Sequence, residues 1–162
     1  MSPNYPHLLL NHLPLFSLAF GTILLLISII KANHTLRLTA LITLVFGALI
    51  TIPAVLSGDE AEHFVEDLAG VSEYYLHEHE ELGEVALTVN LVAGSLALLG
   101  LFAGTFLQQY QKFIDVITLV AAIIGLAFTV ITAKHGGQIR RPEMWDPVEL
   151  KSQQASNGFD MD

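Results

Sequence analysis

The side chains of this chain that could do chemistry are seven histidines and sixteen carboxylates, with no cysteine. They are unevenly placed. His7 and His12 stand near the start, Glu60 and His63 are three residues apart, and His77-Glu78-His79-Glu80-Glu81 alternates imidazole with carboxylate. His135 precedes Gly136-Gly137. Without thiolates a metal can be held only by nitrogen and oxygen, and covalent haem attachment is excluded. On a helix, positions i and i+3 share a face, so Glu60 and His63 present a carboxylate and an imidazole together, as in di-iron helical bundles. Imidazoles from two different helices would equally suit axial coordination of a b-type haem, each binding the iron from one side.

Every one of these residues also has a plainer reading. A run such as HEHEE is ordinarily a solvated helix face, and His7, His34 and His77 fit that description. His12 is less easily dismissed. It enters an apolar helix beside Pro14, where an imidazole in lipid is costly without a partner. His135, ahead of two glycines, suits a helix C-terminus favoured by the macrodipole. Asn90 reads as an interhelical hydrogen bond and Asp115 as an interfacial carboxylate.

The elements that must position these groups follow from composition. Hydrophobic residues make up 52% of the 162 and charged residues 14%, against roughly 25% charged in soluble domains. The apolar residues fall into four runs, at about 13–31, 37–56, 83–106 and 113–134. At about 1.5 Å per residue, each nearly crosses or fully crosses a hydrocarbon core of roughly 30 Å. The expected fold is all-α: one integral membrane four-helix bundle over 1–140, followed by a polar tail over 141–162. Residues 57–84 carry ten carboxylates, three histidines and no lysine or arginine. This predicts an acidic helical extramembrane cap over 57–82, with a short helical piece between Gly58 and Gly70 and a long helix from 71 into the third span. A short connector holding Lys31, His34 and Arg37 joins the first two spans.

Four spans place both termini on one side, and alternate helix ends therefore meet at one face. Six of the seven histidines gather there, with His34 opposite. Lys31, Arg37 and Lys112 in the short connectors favour a cytoplasmic location for that opposite face, leaving the termini and the acidic cap outside. Each span also carries a glycine, Gly21, Gly47, Gly94 or Gly125, that would either admit a planar macrocycle or let helices pack closely.

The net charge of −9 argues against nucleic acid as a partner. No G-x-S-x-G, P-loop, H-E-x-x-H or dinucleotide fingerprint occurs, so no catalytic motif marks an enzyme. The span centres are apolar apart from a few Ser, Thr and Asn, which disfavours transport.

The opening His7-Leu-Leu-Leu-Asn-His12-Leu-Pro14 resembles the H-P-x-x-V-H-F-P start of the bacterial membrane proteins grouped as domain of unknown function 2231. Ser57-Gly58-Asp59 closing the second span and a histidine at position 79 are also similar to that layout. The chain departs from it at Leu8, where the family has proline, and in its acidic cap and Lys134-His135-Gly136-Gly137 ending. The resemblance implies a bacterial inner membrane protein near electron transfer, since family members are found joined to Rieske-type or cytochrome c domains. It carries over most directly to His12 and His79.

Together these readings lead to a membrane subunit that holds a redox cofactor through a His/Glu cluster at one membrane face. For a b-type haem the expected ligands are His12 and His79. For a non-haem transition metal they are Glu60, His63, His79 and His135. Beyond the lipid bilayer, the partners expected are other redox or membrane-complex subunits or further copies of the chain. The competing expectation is a cofactor-free accessory subunit of a larger membrane complex, whose cap docks a basic partner through residues such as Glu66, Asp67 and Glu73.

Overall fold

The computed structural model describes residues 5–65 and 71–139, apart from the side chains of Tyr5, His63, Phe64 and Thr105. The polar tail expected over 141–162 lies outside the described residues, as do Glu66 and Asp67. Within them the chain is helical almost throughout: α1 (Tyr5–Leu10), α2 (His12–Lys31), α3 (His34–Val65), α4 (Glu73–Phe106), a 3-10 turn (Gln108–Tyr110) and α5 (Gln111–Gln138). Four stretches are long and apolar enough to cross a membrane: Pro6–Lys31, His34–Glu62, Glu73–Gly104 and Gln108–Gln138.

The joints explain why the helices stop where they do. At the end of α2, Ala32 takes the left-handed conformation, with φ 48° and ψ 42°. This turns the chain so that the Asn33 amide reaches back to the Ser28 carbonyl at 3.1 Å, a Schellman-type closure usually made with glycine. The Asn33 side chain then caps α3 by accepting from the Leu36 amide at 2.9 Å. At the other face, Ser72 begins α4, and its backbone N–H donates to the Ile139 carbonyl at 3.1 Å, tying the start of α4 to the end of α5.

Two sequence expectations change here. The connector between the first two spans is only Ala32 and Asn33, because α3 begins at His34 and draws Arg37 into the helix, where it is buried. Gly58 does not bracket a separate helical piece. Helix α3 runs through Pro53 and Gly58 to Val65, since a single glycine costs a helix only about 1 kcal/mol. The long fourth helix does extend from the acidic stretch into the third apolar run, as the sequence suggests.

Helix α3 packs on α2 and α4, and α5 packs on α4 and closes on α2. The centre holds Leu18 and Leu25 of α2, Ala40, Leu41 and Leu44 of α3, Ala93 and Ala97 of α4 and Ala122 of α5, all fully buried. The large apolar side chains Phe20, Ile23, Phe46, Leu49, Phe102, Ile123 and Ile124 point outward. Alanine and glycine at the helix contacts, with bulky apolar residues facing outward, are the pattern expected of helices that meet lipid. The span glycines serve this packing. A Cβ on Gly21 would meet Leu44, on Gly47 Ser17, on Gly94 Ala48 and on Gly125 Asn90. Protein fills each of these places, so the macrocycle reading of the span glycines does not hold.

Candidate functional site

At the end of the assembly where α1, the late part of α3, the start of α4 and the end of α5 converge, three imidazoles meet. His7 on α1 holds its Nδ1 3.0 Å from the Ala54 carbonyl of α3. His79 on α4 holds its Nδ1 2.8 Å from the Thr132 carbonyl of α5. A carbonyl can only accept, so Nδ1 of each ring carries the proton and donates. In the neutral ring the Nε2 lone pair is then left for a ligand, the tautomer that metal-binding histidines adopt when their other nitrogen is tied to backbone.

The His7 and His79 rings lie 6.0 Å apart centre to centre, with planes at 86°. Small residues flank both. A Cβ on Gly58 would come 3.2 Å from Cε1 and Nδ1 of His7, and one on Gly136 would come 2.8 Å from Cε1 of His79. His135 stands beside this pair, its ring edge-on to Tyr75 at 5.8 Å and its Nδ1 buried without a hydrogen-bond partner.

His79 lies in the acidic first part of α4, ahead of the apolar run. Burial is the main reason its pKa falls below the ordinary histidine value, and the neighbouring His7 and His135 push the same way against the Thr132 hydrogen bond. The neutral, ligand-ready ring is thereby favoured.

The residues anticipated from sequence divide in the structure. His79 and His135 come together, and His7, which reads in the sequence as a solvated residue, joins them. His12 is exposed on α2, and Glu60 is exposed on α3. The side chain of His63 lies outside the described residues. His77 faces away, with its Nε2 3.1 Å from Glu81 in an exposed i,i+4 pair. Among the described residues no group of three or more His, Asp or Glu is placed to hold a metal ion. His7 escapes sequence reasoning because an isolated histidine near the start of an apolar run gives no sign of the α3 carbonyl it meets.

Comparison with protein-family models, curated proteins and solved structures finds no match.

Two further polar features lie deeper. Asn90 on α4 is fully buried and donates to the Thr51 hydroxyl at 3.5 Å and the Thr129 hydroxyl at 3.2 Å. Both threonines spend their own proton on the carbonyl one turn back, so they are left to accept. This is the interhelical bond the sequence suggests. At the opposite end, Arg37 Nε is 2.7 Å from Asp115 and Nη2 donates to the Gly100 carbonyl at 2.6 Å. Arg37 and Asp115 are both nine-tenths buried or more. Asp115 is thus half of an ion pair between α3 and α5 rather than an interfacial carboxylate.

Proposed function

We propose that the chain is an integral membrane electron-transfer subunit, a four-helix bundle that holds a b-type haem in the histidine cluster at one membrane face. The observation that carries this reading is the pair of imidazoles on different helices, each with Nδ1 fixed by a backbone carbonyl and Nε2 uncommitted. A haem iron needs only two protein ligands, because the macrocycle supplies the rest. A non-haem site needs three or four, and among the described residues no such group is formed. The donor set therefore fits haem better than a non-haem metal. Bound there, haem would supply one-electron redox chemistry. The chain's own part is to fix ring orientation through Ala54 and Thr132, to keep His79 neutral, and to seat the two rings against Gly58 and Gly136.

In this reading the termini and the acidic ends of α3 and α4 face the outside of a bacterial inner membrane. The acidic surface, with Glu60, Glu73 and Glu81 exposed, receives a basic redox partner or membrane-complex subunit.

The test is a metal and haem analysis with air-oxidised and dithionite-reduced visible spectra on the chain purified in mild detergent. The expected result is a Soret band that shifts on reduction. A folded, colourless, metal-free protein that takes up neither added haemin nor added transition metal would contradict the reading and leave a cofactor-free accessory subunit.

A further inference from the structure

The two imidazole anchors share more than chemistry. His7 is bonded to the carbonyl of Ala54 and packed against Gly58, four residues later. His79 is bonded to the carbonyl of Thr132 and packed against Gly136, again four residues later. A spacing of 78 residues separates Arg37 from Asp115, and the same spacing relates the rest of α3 to α5. It superposes Leu41 on Leu119, Gly47 on Gly125, Thr51 on Thr129, Ala54 on Thr132 and Gly58 on Gly136. The burial pattern follows. Arg37, Ala40, Leu44, Gly47 and Thr51 are buried, and so are Asp115, Thr118, Ala122, Gly125 and Thr129.

A spacing of 72 residues, from 7 to 79, relates α1 and α2 to α4 in the same way. It pairs Pro14 with Ala86, Leu18 with Asn90, Gly21 with Ala93, Leu25 with Ala97 and Ser28 with Gly100, every one buried. Contacts within each half repeat as well: Gly47 lies against Ser17 and Leu18, and Gly125 against Val89 and Asn90. The shorter shift in the first helix and the longer shift in the second place the length difference at the joint. There, residues 32–33 stand between Lys31 and His34, while 104–111 stand between the equivalent Ala103 and Lys112, as the last residues of α4, Leu107, the 3-10 turn and the first residue of α5.

Equivalent residues also meet one another. Arg37 touches Asp115, Thr51 and Thr129 share the Asn90 amide, and His7 faces His79. Three such meetings, at three depths, mark a pseudo-two-fold axis running along the helices. This is the relation of parallel repeats about the membrane normal.

We infer that the chain is a duplicated helical hairpin, and that His7 and His79 are its equivalent axial ligands, binding one haem iron centred on the pseudo-two-fold axis. The inference rests on the haem reading above and names the ligand pair, which replaces His12 and His79. Two imidazoles bound from opposite sides of one metal, with a metal–nitrogen bond of about 2.0 Å, stand about 6 Å apart centre to centre. The His7 and His79 rings are 6.0 Å apart. A site filled from both sides has no open position, which assigns it to electron transfer rather than to binding of a gas or substrate at iron. His135 has no partner under the repeat, since its equivalent is Ser57, and it is not an axial ligand.

The experiment is haemin titration of the full chain in mild detergent, read by visible and electron paramagnetic resonance spectra. Asparagine in place of either histidine keeps a donor for the backbone carbonyl while removing Nε2. Wild type is expected to take one haemin per chain in a six-coordinate low-spin state. His7→Asn and His79→Asn are each expected to give a high-spin five-coordinate signal, or loss of haemin, that free imidazole restores to low spin. His12→Ala and His135→Ala are expected to retain the low-spin signal. Low-spin haem that survives His7→Asn, or is lost in His12→Ala, would overturn the pair while leaving the haem reading intact. A stoichiometry of two would overturn the axial position. A folded wild type that binds no haemin would overturn both.

Discussion

The two ends of the molecule handle buried polar groups in opposite ways. At one end Arg37 and Asp115 pair with each other across α3 and α5 at 2.7 Å. At the other end His7 and His79 are each held by a carbonyl on Nδ1, and the two rings stand 6.0 Å apart. Both pairs occupy positions related by the repeat. Where the halves have diverged into opposite charges, the pair holds the helices in one arrangement. Where they have kept the same residue, a pair of identical ligands remains. Identity across the axis thus separates the end proposed for function from the end that serves the fold.

The largest expected effect breaks the clamp. Asp115→Ala leaves the Arg37 guanidinium buried without its partner, and removing one member of a buried pair costs about 3–5 kcal/mol. Thermal unfolding in detergent should show it, and the double change Arg37→Met with Asp115→Leu should recover most of the loss. Equal damage from single and double changes would mean that the pair contributes something other than charge matching.

Next come the close approaches. A Cβ at Gly94 or Gly125 would collide with Ala48 or Asn90, and overpacking typically costs about 1–3 kcal/mol. Gly94→Ala and Gly125→Ala should therefore unfold at lower temperature. By contrast Gly136→Ala, whose Cβ meets the His79 ring at 2.8 Å, should weaken haemin affinity more than it lowers stability, and Gly58→Ala should do so less. This ordering sharpens the contrast between the ends, because the same substitution reads out as stability in one place and as ligand binding in the other.

A smaller effect concerns pH. The folded pKa of His79 is lowered, chiefly by burial. Folding then favours the neutral ring, so its contribution is fully present above the unfolded pKa of about 6.5 and is lost as pH falls through the lowered folded value. Unfolding temperature measured from pH 7.5 downward should drop less steeply in His79→Asn than in wild type. The smallest effect lies in the connector. Ala32 pays a left-handed penalty of roughly 1–2 kcal/mol, so Ala32→Gly should raise the unfolding temperature without moving haemin affinity.

The sequence contained the four apolar runs, the long α4, the gathering of histidines at one face and the Asn90 hydrogen bond, since each follows from periodicity or from the cost of a polar group in lipid. It concealed Arg37 and Asp115. Charges mark the edges of apolar runs, so hydropathy assigns them to connectors even when the helix continues past them and a partner lies across the interior. It also concealed which opening histidine faces inward. His7 and His12 are five residues apart, about 140° around a helix, so with His7 on α3 His12 is exposed. Gly58 reads as a break by propensity, yet tertiary packing against His7 keeps it helical. The recurrence of G-x-x-x-T with a further glycine, at 47, 51 and 58 and again at 125, 129 and 136, is the signal that exposes the repeat.

The most direct measurement of the difference between the two ends is thermal unfolding of the purified chain across a haemin series. A ligand that binds only the folded state raises stability with concentration. The expected result is an unfolding temperature that climbs with haemin in wild type, still climbs from a lower baseline in Asp115→Ala, and climbs far less or not at all in His7→Asn and His79→Asn at a nearly unchanged baseline. An unfolding temperature that ignores haemin in wild type, or that climbs equally in His79→Asn, would contradict it.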